Sequence, residues 1–378
     1  MILPMRATRT VVACLLAVAA NAQTFIVDAA NGPGTNFPDL VTAIAAVPDG
    51  AVLRVRAGTY SQFFVDGKGV TLLGESGARI VSLLGPQIAN LQPQQSFCMR
   101  GFVLDPFFGG VGTAGVTVLN NQGTVTLDGL GVVTGTHRLT VQQSNHVLVR
   151  DCIFSSQVSV ASSNVAFTAC SFSALNWTLP TIAQQGGRVQ LAGCTVLGGS
   201  NGTQPAATCV QMTGGDLRVL GGGTLRSAGI IGFPGLAVGG SGSVRIDPNV
   251  AVLAATPPFA PGVTATSLAM PDVTAACAPL GGTLTAALHG PIGSIAALSV
   301  AFPGPSLLIP GLPDPLFWNL ATAVNQTVGI PTAQQPVTSQ IPVPMNPVFV
   351  GVGLVHHGFT LDPVGGLQVS QPVAIVVL

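Results

Sequence analysis

Acid–base cleavage of a polysaccharide needs carboxylates in pairs: one protonates the leaving oxygen while the other attacks or activates water. Cleavage by elimination needs a base beside a cation, commonly Ca²⁺ held by clustered Asp and Glu. This chain is poorly supplied for either. It has a single glutamate, Glu75, and aspartates such as Asp66, Asp105, Asp128, Asp151, Asp216 and Asp247 stand far apart. Arg150-Asp151, with Asp128 and Arg138 upstream, could meet on neighbouring turns of one face. There they would set an arginine base against carboxylates or, as we expect, form an exposed ion pair. His356-His357 lies on or beside a strand, whose alternation sends the two rings to opposite faces and makes a poor metal site. No Cys/His spacing elsewhere adds ligands. We therefore assign no catalytic, cofactor-binding or metal-ligating residue and expect no cofactor.

Six cysteines lie beyond the N-terminal segment: Cys98, Cys152, Cys170, Cys194, Cys209 and Cys277. An even number permits disulfides in an oxidising compartment. Cys152, Cys170 and Cys194 occupy matching places in a repeated phrase. A bridge between turns and a buried column of free thiols both fit that spacing. Parallel side chains on in-register strands favour the thiols. Cys277 is expected to be the least able to pair with the others.

The elements that would carry these residues are short strands. Residues 36–47, NFPDLVTAIAAV, read as an amphipathic helix with Pro38 in its first turn. Asn36 or Thr35 is the expected cap, and Phe37, Leu40, Val41, Ile44 and Val47 the apolar face. Pro48-Asp49-Gly50 ends it. Strand-like alternation follows, broken by Gly58, Gly67 and Gly74. From Val70 one phrase recurs, with starts at 123, 145, 164, 187, 215 and 242, hence intervals of 22, 19, 23, 28 and 27. Such intervals match the turns of a parallel β-helix. Counting the strand at Val52–Val55 gives about nine turns, stacking to roughly 40 Å at about 4.8 Å each. Alternate residues should point inward as ladders: Val147/Val149, Val165/Phe167, Val189/Leu191, Leu217/Val219 and Val244/Ile246. Ser144-Asn145 and Ser162-Ser163-Asn164 precede strands and are expected to form a turn ladder through side-chain amides. The helix is expected to cover the first turn, shielding core and strand edges.

DLVTAIAAVPDGAVLRVRAGTY followed by GVTLLG resembles the opening of pectin-lyase-like right-handed β-helix proteins, pectin methylesterases among them. The resemblance covers about the first sixty residues after the leader and continues only as a rhythm. It implies an all-β, right-handed parallel β-helix. The expected partner is an extracellular polysaccharide or a cell-surface component. Asp105-Pro106-Phe107-Phe108-Gly109 is similar to the family motif that carries a nucleophilic aspartate. Pro106 breaks that pattern, no acidic residue stands between Glu75 and Asp105, and Ser61-Gln62 replace the glutamate that normally follows G-T-Y. A turn role is therefore expected for Asp105.

Residues 1–22 have the make-up of a secretory signal. Arg6 and Arg9 precede an apolar run from Thr10 to Ala20, and Ala20-Asn21-Ala22 forms a cleavage site after Ala22. The run is shorter than the roughly 20 residues of a membrane span. Loss of both arginines leaves 11 basic against 13 acidic residues, which gives nothing to attract nucleic acid. Charged residues are 7% of the chain, against about 25% in an average globular protein.

The expected organisation is a signal peptide (1–22), a β-helix (23–253), a Pro-rich linker (254–270) and a β-sandwich (271–378). Thr283–Leu288, Ala296–Phe302, Phe317–Leu320, Phe349–Val355, Phe359–Leu361, Leu367–Val369 and Val373–Val377 are its expected strands. The ending GLVHHGFTLDPVGGLQVSQPVAIVVL resembles terminal modules of low-charge secreted bacterial proteins. The expected function is a secreted or surface non-catalytic module that binds glycan or protein, or serves as scaffold. The alternative is a polysaccharide lyase, esterase or hydrolase.

Overall fold

The computed structural model describes residues 23–378 except 107–112, 133–135, 174–178, 200–206, 228–234, 308, 311, 313–314, 334 and 363–365. The expected leader, 1–22, lies outside the described residues.

The first described element is a strand, Thr24–Val27, that pairs in parallel with Ala51–Val55 across an intervening helix, Leu40–Ala46. The helix begins later than the sequence pattern indicates. Asp39 is its cap, accepting the Thr42 N–H at 2.8 Å, while the Asn36 side chain accepts from Ile26 N–H instead. An aspartate serves as well as asparagine at this position, because its carboxylate meets both an orphan N–H and the positive end of the helix dipole. Leu40, Ala43 and Ile44 join the solenoid core, whereas Val41 is half exposed. At the other end, Lys68 Nζ donates to the carbonyls of Ile44, Ala45 and Val47 at 2.8, 3.1 and 2.9 Å.

From Ala51 the chain winds into a parallel β-solenoid of about nine turns. Each turn lays one strand on each of three faces. Strands 51–55, 70–74, 96–100, 124–128, 146–150, 164–168 and 188–192 succeed one another on the first face. The second face runs from Gly58–Ser61 to Ala251–Leu253, the third from Phe64–Asp66 to the start of Val238–Ile246. The expected ladders are present: Val147, Val149, Val165, Phe167, Val189, Leu191, Leu217, Val219, Val244 and Ile246 all belong to one buried core. Strand alternation produces this without further instruction, because one side of every strand faces the enclosed space. Within 254–270, where the sequence reads as linker, Gly262–Ser267 pairs with Val238–Ile246 and adds a last rung.

Polar residues reinforce a corner. The Ser144 hydroxyl accepts from Asn121 N–H at 3.2 Å and the Ser163 hydroxyl from Ser144 N–H at 3.0 Å. Asn121 in turn accepts from Leu91 N–H at 2.9 Å. The turn ladder thus exists, but buried hydroxyls and Asn121 build it, not Asn145 and Asn164.

The C-terminal part is antiparallel. A three-stranded sheet (Asp272–Ala276, Thr283–His289, Val337–Pro342) faces a larger one built on Ile295–Ala301 and Gly353–Asp362. Leu284, Val300, Ile341, Leu354 and Ile375 pack between them. The two segments expected at 349–355 and 359–361 are one ten-residue strand, 353–362, and Val324–Gly329 and Val337–Pro342 are strands that the sequence pattern did not reveal. This module does not hang from the solenoid. It lies on the first face: Phe317, Val355 and Ala374 pack on Leu148 and Ala166, and Met270 packs on Ala192 and Leu220. Gly351, at a φ of +82°, lies against the first strand, where a Cβ would meet the Val52 side chain at 2.6 Å, so only glycine fits.

Candidate functional site

Asp128 and Arg150 are direct neighbours in the first-face ladder, and Arg100 lies opposite Asp128 on the preceding turn. The expectation that Asp128 and Arg150 share a face therefore holds. Their exposure does not, because the C-terminal module covers them. Both arginines bond Asp128, Arg150 through Nη2 at 2.9 Å and Nε at 3.1 Å. Both also reach Cys277 Sγ at 2.9 Å, and Arg150 donates to the Ala275 carbonyl at 3.3 Å. Burial works against the Arg150 charge, but the neighbouring Asp128 carboxylate outweighs it and raises its pKa above the ordinary arginine range. Asp151 is exposed and only flanks the cluster, 3.3 Å from Arg150. Arg138 belongs to the third face and takes no part. The cluster fastens module to solenoid, and Cys277, unbridged, is seated against two coil arginines.

Asp105 is not a turn residue. It lies within a second-face strand, Val103–Pro106, where Arg79 on the previous turn holds it, with Nε at 2.8 Å. Residues 107–109 of the motif lie outside the described residues. Glu75 pairs with Arg54 at the surface, 3.6 Å away. Asp247 and Asp272 line one cleft where module meets solenoid, and among the described residues no group of three metal-ligating side chains comes together.

His356 and His357 are both buried, on opposite sides of strand 353–362 as alternation requires. His356 points into the sandwich, where neither ring nitrogen has a partner among the described residues. His357 faces the solenoid side. Its Nε2 accepts Phe317 N–H at 3.0 Å, and Phe317 meets His146 of the first face edge-on at 5.0 Å. Burial lowers the pKa of His146 and His356 to about 4 and that of His357 to about 3. These histidines are neutral packing groups.

Cys152, Cys170 and Cys194 form the expected column, and their thiols are unbridged. Each donates to the carbonyl two residues back, at 3.1, 3.4 and 3.4 Å. Burial pushes Cys152 and Cys170 far above the usual thiol range.

Nothing in the sequence marks which faces stay open. Both the second and the third do, since Ile153 and Leu253 on the second and Gln142 and Gln185 on the third are exposed, and it is the third that carries a run of uncharged polar side chains. In register along it stand Phe64, Gln87, Thr117, Thr140, Ser159, Ala183 and Gln211, and beside them Gln142, Ala161, Gln185, Thr213 and Ser241. Asp66 on the first rung and Arg138 at the margin are the charges its described strands carry. Eight rungs at about 4.8 Å make a strip roughly 34 Å long. No family model matches the chain, and no curated protein matches it.

Proposed function

We propose that the protein is an exported, non-catalytic module that holds an extended glycan along the third face of its solenoid. The observation that carries this is the uncharged strip of hydroxyls and amides just described. Side chains such as Gln142 and Gln185 project at a repeat that an extended sugar chain can follow, and Phe64 offers a ring for stacking at one end. The first face, where an outer-face active site would have been sought, is taken up by the C-terminal module. Export follows from the signal-like residues 1–22.

Sedimentation with insoluble polysaccharides tests the reading. The parent protein should bind, and Gln142→Ala with Gln185→Ala should weaken binding by about fivefold or more, as expected for two lost hydrogen bonds. Binding should change little between low and high salt, unlike a charge-driven contact. Release of reducing or unsaturated ends from pectin, alginate or chondroitin, abolished by Asp105→Asn or Asp151→Asn in a folded protein, would overturn it in favour of an enzyme.

A further inference from the structure

Docking of the module leaves a cleft of about 340 Å³ against the first turns of the solenoid. That volume lies within the range of about 300–1,000 Å³ typical of small-molecule sites. One wall is the outward side of the first face, where Thr71, Cys98 and Thr126 stand in register on three successive turns and Ser96 lies beside them. The opposite wall belongs to the module and is mixed: Phe302 and Pro303 stand beside Asn319 and Thr322. The hydroxyls of Thr71, Ser96 and Thr126 have no side-chain hydrogen bond among the described residues. Thr126 is only 6% exposed and lines the cleft all the same.

Charge narrows the ligand. Among the described residues no lysine or arginine lines the cleft, and Arg100, two residues beyond Cys98, is committed to Asp128 and Cys277. The lining carboxylate, Asp49, already accepts from Gly69 N–H at 2.6 Å and Gln95 Nε2 at 3.0 Å. An anion would find no counter-charge here. A purely apolar ligand would strand the buried Thr126 hydroxyl, at the cost of an unmade hydrogen bond. Polar side chains on both walls, with Phe302 and Pro303 alongside, suit a molecule that carries both hydroxyls and C–H groups, which is the chemistry of a sugar ring.

We propose that this cleft binds a small neutral carbohydrate, one to two rings in size, held between the module and the first turns. The site is separate from the third-face strip and does not depend on it.

Calorimetric titration of the full chain with cellobiose, maltose and lactose tests this, with digalacturonic acid as the charged comparator. At least one neutral disaccharide should bind with a Kd of about 1 mM or below. It should also raise the melting midpoint, because it bridges two parts of the folded state. Ser96 is exposed, so Ser96→Trp can fill the cleft without disturbing the core, and it should abolish binding. Thr71→Val with Thr126→Val keeps the shape, removes two hydroxyls and should weaken binding by about tenfold. Gln142→Ala with Gln185→Ala, on the third face, should leave disaccharide binding unchanged, which separates this site from the polymer strip. Failure of all three neutral sugars to bind, binding that survives Ser96→Trp, or equal binding of digalacturonic acid would each overturn the proposal.

Discussion

Asp128 is buried between two arginines, its side chain 4% exposed, with those of Arg150 at 9% and Arg100 at 25%. A buried ion pair gains little over well-packed apolar groups, but losing one partner leaves an uncompensated charge. Asp128→Asn would leave Arg100 and Arg150 facing each other under the module. The variant should lose about 3–5 kcal/mol of stability, measured by urea unfolding. Its glycan binding should stay within a few fold of the parent, because Asp128 lies on the covered face. A catalytic Asp128 would give the opposite pattern, with stability nearly unchanged and turnover lost. The sequence placed Asp128 and Arg150 together because strand register follows from the repeat. It could not reveal their burial, which depends on residues more than 120 positions away, at Ala275 and Cys277.

Among the elements, those with a strict period were legible and those defined by a neighbour were not. Strands 146–150, 164–168 and 188–192 alternate, and their inward residues could be named in advance. Their outward residues Leu148, Ala166 and Ala192, with Leu220 further on, each look like an ordinary surface apolar residue. Only stacked in register do they become a stripe that another domain must cover. That stripe was the available signal for docking. The helix shows the same division. Its apolar spacing was readable, but its closure depends on Lys68, 21 residues beyond Val47, whose ammonium bonds three carbonyls at the helix end. Charge on those carbonyls also complements the helix dipole. Lys68→Met keeps the length and apolar stem, and should cost about 1–2 kcal/mol in denaturant unfolding. An unchanged midpoint would mean that water satisfies these carbonyls equally well.

At the scale of the whole molecule, the docked module makes solenoid and sandwich one unit for unfolding. Separating them would expose Leu148, Ala166 and Phe317, strip Arg150 of its module contacts, and free Arg218 from the Val369 carbonyl. Calorimetry at neutral pH should therefore show one cooperative transition rather than two. The same interface makes that transition acid-sensitive. His146 and His357 flank Phe317 from either side, and His356 is buried in the sandwich. All three have folded pKa values near 3 to 4, against about 6.5 unfolded. The unfolded chain takes up these protons first. Their contribution is complete above about pH 6.5 and is lost below it, at up to about 1.4 kcal/mol per pH unit for each histidine. Asp272 works in the opposite sense, since burial raises its pKa and acid relieves its charge, but it is one group against three. Asp28, held low by its hydrogen bond from Arg56, adds its loss only below the ordinary carboxylate range. The melting midpoint should thus fall steadily from pH 6.5 to 4.5, and His146→Gln with His357→Gln should flatten that fall. A midpoint flat over this window in the parent protein would show that the histidines titrate in water, and that the module does not seal the first face.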